Sequence, residues 1–181
     1  FEVEGAASFD SHVIIAGDIR STTSGTSNFR AGVNAGNSIA SGGNNNVFIG
    51  DEAGTALTTG DGNTAIGYAA LKTEDGNGRN VAVGFKTLET LNAGAEGNNV
   101  AIGYEAGNDL TTGIQNVAIG SGAFDLANAS NENVAVGYAA LTQEVKGHRN
   151  VAVGDSTLAT QQFGTSTNSY NTAVGYHAGN D

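Results

Sequence analysis

Apolar and polar positions along this chain come in short bursts that return at a nearly constant interval. The burst Asn80-Val-Ala-Val-Gly84 is typical: a polar residue, a β-branched one, a small one, a second β-branched one, then glycine. Similar bursts open at Asn46, Asn63, Asn99, Asn116, Asn133, Asn150 and Asn171. They close at Gly50, Gly67, Gly103, Gly120, Gly137, Gly154 and Gly175. The starts of the eight copies are separated by 17, 17, 19, 17, 17, 17 and 21 residues. So steady a period predicts one small structural unit stacked on itself.

Each burst predicts a short strand. Side chains alternate across a strand, so Val81 and Val83 share one side and Ala82 takes the other. β-branched residues suit a pleated surface. The alternation is too short for a 3.6-residue period, and a glycine in every unit would weaken a helix. Glycine at one fixed place marks a corner needing positive φ or close backbone approach. Asparagine tolerates left-handed backbone and can bond its own turn, so Asn and Gly are expected to bracket the strand. A second segment follows each glycine, as in Tyr68-Ala-Ala-Leu71 and Phe85-Lys-Thr-Leu88, and then a polar loop. Seventeen residues fit two short strands and two turns, which is one coil of a β-roll. Stacked in register, the coils form a parallel ladder with rungs about 4.8 Å apart, and eight make a column roughly 35–40 Å tall. The longer spacings are expected to bulge to one side without breaking the stack.

The predicted fold class is therefore all-β: a stacked parallel β-roll, or solenoid, of about 17-residue coils. Residues 46–181 form the roll of eight coils. Residues 28–45 read as a degraded capping coil, because Asn28-Phe-Arg-Ala-Gly32 falls 18 residues before Asn46; terminal repeats are commonly atypical. Residues 1–27 read as an N-terminal β segment and connector, with strands at 1–4 and 12–19 and a turn at 21–27.

Neither side of the predicted strand is polar. A lone roll should show water one polar face, and a coil with so few large apolar groups is marginal against the entropy of ordering it. A second buried face, against other copies of the chain, closes that gap. The expected assembly is a homotrimer around a shared axis, for which the narrow Ala column suits close approach.

These repeats resemble two related groups of proteins. The Asn-Val-Ala-Ile-Gly element is similar to the repeats in the left-handed parallel β-roll heads of trimeric autotransporter adhesins. The longer unit, Asn63-Thr-Ala-Ile-Gly-Tyr-Ala-Ala-Leu71 with its loop, is more similar still to repeats of bacteriophage tail fibres. The resemblance covers residues 46–181. It implies a homotrimer that attaches to cell surfaces, as part of a virion tail fibre or as the head of a bacterial surface adhesin. The unit is longer than the usual adhesin-head repeat, and nothing in these residues resembles a membrane anchor or a self-cleaving chaperone tail.

Composition narrows the partners. Without Cys there is no disulfide framework or thiolate site. With no Met, Phe1 is not expected to be a natural start. No run of about 18 apolar residues is present, so no membrane insertion is expected. The net charge of −11 with seven Lys plus Arg argues against nucleic acid, whose phosphates need a basic face. The expected partners are a second and third copy of this chain and a host cell-surface glycan or protein.

No residues stand out for chemistry. His12, His148 and His177 share no position in the unit, and no Ser lies in a Gly-x-Ser-x-Gly elbow. The acids Asp51, Glu52, Glu105, Asp109, Asp125 and Asp155 follow the corners at scattered offsets, unlike a calcium-binding β-roll repeat. Gly60-Asp-Gly62 and Gly76-Asn-Gly78 lack the Lys-Ser/Thr of a phosphate loop. No enzyme activity, cofactor or metal is expected. Aromatics recur just after the glycine at Tyr68, Phe85, Tyr104, Tyr138 and Tyr176. They read either as an exposed strip that stacks on sugars or, the favoured reading, as packing that plugs the edge of the roll. The loops are not verbatim repeats, which favours surface contact over a pure spacer, with the 159–170 loop the first candidate.

Overall fold

The computed structural model describes residues 24–144 and 146–180; the strands expected at 1–4 and 12–19 lie outside them. The described residues form a parallel β-solenoid of about nine turns. Nine three-residue strands make one sheet: β1 (Phe29–Ala31), β2 (Val47–Ile49), β3 (Thr64–Ile66), β4 (Val81–Val83), β5 (Val100–Ile102), β6 (Val117–Ile119), β7 (Val134–Val136), β9 (Val151–Val153) and β11 (Thr172–Val174). Each pairs in parallel with the next, and the register never slips: Val81 faces Val100, Ala82 faces Ala101, Val83 faces Ile102. The coil of Asn28 is the first rung, with Phe29 opposite Val47. A second, two-stranded sheet joins β8 (Gly147–His148) to β10 (Thr167–Asn168) where the longest loop runs.

The opening asparagines form an unbroken ladder. From Asn46 to Asn171, each backbone N–H donates to the side-chain oxygen of the asparagine one coil before, at 2.7–3.1 Å. These asparagines bond neighbouring coils, not their own turn as expected. The left-handed backbone instead falls on the residue just before, as at Arg79, Gln115 and Arg149 (φ +61°, +61° and +63°). Most side-chain amides also reach a carbonyl farther round their own coil, as Asn46 Nδ2 does to Gly60 O at 2.9 Å and Asn116 Nδ2 to Ser130 O at 2.8 Å. Buried amides whose polar atoms are almost all paired define one geometry and penalise others.

The corner glycine is required twice over. Gly84 has φ +139°, and a Cβ there would run into the carbonyl oxygen of Gly103 on the next coil. The same packing of corner on corner runs up the column, ending at Gly154 over Gly175.

The second segment is not a strand. It carries left-handed backbone at alternate residues, such as Ala69 and Leu71 (φ +53° and +52°). This sends successive N–H groups to opposite neighbours: Ala69 N–H bonds Asp51 O in the coil before (3.0 Å), and Leu71 N–H bonds Thr87 O in the coil after (2.9 Å). A non-glycine left-handed residue costs roughly 1–2 kcal/mol. Those inter-coil hydrogen bonds offset it, and they exist only in the stack.

The core lies inside the coil, and the Ala column belongs to it. Ala65, Ala82, Ala101, Ala118, Ala135 and Ala152 are buried against Leu71, Leu88, Leu141 and their neighbours. The small Ala side, which suited close approach of copies, lies inside the single chain: the methyl is what fits between the strand and the facing wall. Where a larger residue enters, its surroundings shrink. Phe48 replaces Ala in β2, and its ring fills space above Gly36 and Gly54, where a Cβ would collide with it.

Candidate functional site

Three outward features could meet a partner: the β-branched face of the sheet, the aromatic column beside it, and the loops. The β-branched residues flank each buried Ala and point out of the coil. They are half-buried or exposed in the single chain, reaching 40% exposure at Ile102 and 37% at Ile49 and Ile119. Because every rung repeats the pattern, the result is a continuous apolar strip up the column. Exposed contiguous apolar surface of this kind marks interaction sites more often than isolated residues do.

The aromatic column does not plug the coil. Tyr68, Phe85, Tyr104, Tyr138 and Tyr176 are all exposed. Three of them form a stack: Tyr68 on Phe85 and Phe85 on Tyr104, each at 5.3 Å between ring centres. Lys86 lies 5.9 Å from the Phe85 ring and pairs with Glu89 at 3.1 Å. The Tyr104 phenol is held above its ordinary pKa by hydrogen bonding to the Glu105 carboxylate.

The loop side is more tightly built than the sequence suggests. Glu74 and Glu144 stand where other coils place Leu57, Leu91 or Leu110, and both are fully buried. Turn N–H groups satisfy them. Glu74 accepts from Asn77 N–H (3.2 Å) and Asn77 Nδ2 (3.0 Å), and Glu144 accepts from Lys146 N–H (3.1 Å) and Gly147 N–H (2.5 Å). Burial raises the Glu74 pKa above the usual carboxylate range. The same position on the next coil is Gln161, whose Nε2 donates to Glu144 (2.7 Å) and whose Oε1 accepts from Asn171 (2.6 Å). Gln161 is therefore a strut, and the variable part of the longest loop begins after it.

His148 meets Ser166, a contact hidden by their separation of 18 positions: Nε2 lies 2.7 Å from the hydroxyl. It is not a catalytic dyad. The other ring nitrogen, Nδ1, accepts the backbone N–H of Asn131 at 2.9 Å. In the neutral ring that leaves the proton on Nε2, so the imidazole donates to the serine and cannot act as its base. The role is structural, since Asn131 Oδ1 accepts from Ile114 N–H (2.8 Å) and Asp61 from Asn44 N–H (2.6 Å) in the same way. His177 instead lies beside the Tyr176 ring, 4.2 Å between centres.

The acids stay dispersed. Asp125 is pushed up to about 6 by burial, with Asp109 and Glu105 adding repulsion. Among the described residues no group of three or more His, Asp or Glu could hold a metal ion, and no helix is long and apolar enough to cross a membrane. One buried donor is unmatched: Asn80 Nδ2. Its coil carries the two extra residues of the 19-residue spacing. No protein-family model matches this sequence, and neither a curated protein nor a solved structure does.

Proposed function

We propose that this chain is a segment of a trimeric attachment fibre, a phage tail fibre in the first instance, and that it adheres without turnover. The carrying observation is the outward β-branched strip, with Ile49, Ile102 and Ile119 more than a third exposed on a face with no partner in the single chain. Val and Ile would not be repeated there rung after rung for contact with water. Three columns meeting along their strips would bury that surface, and the outer loops would then be shown in triplicate. Weak contacts add by avidity when a receptor array engages several at once. The resemblance of the repeat to tail-fibre and adhesin sequences supports the same reading. The net charge of −11 keeps free fibres apart and disfavours nonspecific sticking to anionic envelopes.

The test is the mass in solution. Light scattering should give three times the 18.1 kDa of one chain. Ile102→Glu with Ile119→Glu should release folded monomers that attach weakly to bacterial cells. A wild-type chain that is monomeric at micromolar concentration would overturn the trimer.

A further inference from the structure

The residue after each corner glycine lies on a continuous backbone ladder. Gly122 N–H donates to Tyr104 O (2.9 Å), Ala139 N–H to Ser121 O (3.0 Å), Ser156 N–H to Tyr138 O (2.8 Å) and His177 N–H to Asp155 O (3.0 Å). Tyr104, Ser121, Tyr138, Asp155 and Tyr176 therefore occupy successive rungs of one outward column. Where consecutive rungs carry rings, the rings close on each other at 5.3 Å and hide their faces. Ser121 and Asp155 interrupt that stack. They leave Tyr104 and Tyr138, and then Tyr138 and Tyr176, two rungs apart, about 10 Å by the rung spacing. A ring placed midway would lie about 5 Å from each tyrosine, within the stacking range of about 4.5–7 Å. Exposure follows the same logic: 40% at Phe85 inside the closed stack, 62% at Tyr138 with an open rung on each side.

We propose that these two interruptions are ring-wide slots that bind pyranose rings of a neutral glycan. The proposal rests on the adhesive reading above and names its receptor class. A pyranose offers C–H faces to the flanking tyrosines and hydroxyls around its edge. The rung residues match that edge: the Ser121 hydroxyl in one slot, and in the other the Asp155 carboxylate, held by Ser156 Oγ at 2.7 Å. A purely aromatic guest would fill the gap but leave Asp155 without a donor from the guest. Glu105, Asp125 and Asp155 make the surroundings acidic, which disfavours sialylated or sulfated chains. Both slots lie on one line along the column, so a single extended glycan can thread them.

The experiment is an array of neutral and acidic glycans probed with the purified full chain and its variants. Wild type should bind neutral glycans. Tyr138→Ala removes a wall from both slots and should weaken binding by roughly tenfold or more. Ser121→Tyr combined with Asp155→Tyr fills both slots with the protein's own rings and should abolish binding, with circular dichroism and oligomeric mass unchanged. Tyr68→Ala, outside the slots, should bind as wild type does. Failure of wild type to bind any neutral glycan, or binding that survives both slot variants, overturns the slots. A slot-filled variant that falls apart as an oligomer also overturns them, because a neighbouring copy would then be the occupant. Attachment to bacterial cells is scored separately. If the slot-filled protein still attaches, the adhesive reading stands and the slots fall. If wild type binds glycans yet attaches to no cell, the slots stand and the adhesive reading fails.

Discussion

Ala101 and Ile102 are neighbours in sequence on opposite sides of one three-residue strand. Ala101 is 1% exposed and Ile102 40%. The larger, more apolar residue is the one outside. At Ala101 the inside has room for a methyl and little more, because Leu and Ala from the facing segment fill it; a larger residue such as Phe48 fits only where glycines face it. Residue size on the inside is dictated by the chain itself. Residue size on the outside is not, and the proposed trimer would use that bulk.

The largest break of this contrast should come at the corner, since the corner decides which side each residue faces. Gly84→Val and Gly137→Val should each cost about 3 kcal/mol or more, from left-handed strain plus collision with the next coil's carbonyl. Thr73→Ala and Gln143→Ala, on exposed loop positions, should stay within about 0.5 kcal/mol. Urea midpoints compare the four, and equal shifts would refute the corner's role.

The inner and outer faces can be tested side by side. Ala101→Leu should destabilise by about 1–3 kcal/mol by overpacking. Ile102→Ser should cost less than about 1 kcal/mol in the isolated chain, because a partly wet side chain loses little burial. If Ile102→Ser unfolded the dilute monomer, the outer strip would be part of the chain's own core.

The smallest effect depends on pH. Asp125 and Glu74 have folded pKa values above their ordinary ones. The folded state therefore holds these protons more tightly than the unfolded state. Their contribution is fully present below the ordinary carboxylate pKa and is lost as pH rises through the raised values, about 6 for Asp125. Asp125→Asn should raise stability at pH 7 by on the order of 1 kcal/mol, after allowing for its partial exposure, and change little at pH 4. Denaturation at the two pH values measures the difference; an equal gain at both would rule out linkage.

The rungs were legible because Asn and Gly keep their spacing, and parallel register follows from that spacing alone. Which side of the strand is inside was not. Alternation separates two sets of residues without naming the buried one, and here both sets are apolar. The second segment misled for a different reason. Ala69 and Leu71 carry no sign of left-handed backbone, since the hydrogen bonds that sustain it come from adjacent coils. Nothing in one coil marks Glu74 or Glu144 as buried; only the register sets them in a column of leucines. The His148–Ser166 contact needed the exact path of the 21-residue coil. The aromatic column was visible as a recurrence, but its exposure was not, because nothing in one coil shows on which side of the corner the ring emerges.

The asparagine ladder also has a mechanical consequence. In the proposed attachment fibre, tension along this column would load the turns in series. Each junction carries the strand bonds, the second-segment bonds and one or two asparagine links in parallel, so the column holds only as well as its poorest junction. Asn63, Asn80 and Asn171 donate only their backbone N–H to the asparagine before, whereas Asn46, Asn99, Asn116, Asn133 and Asn150 add their side-chain amide. Under rising force these singly linked junctions should part before the doubly linked ones, leaving intact blocks between them.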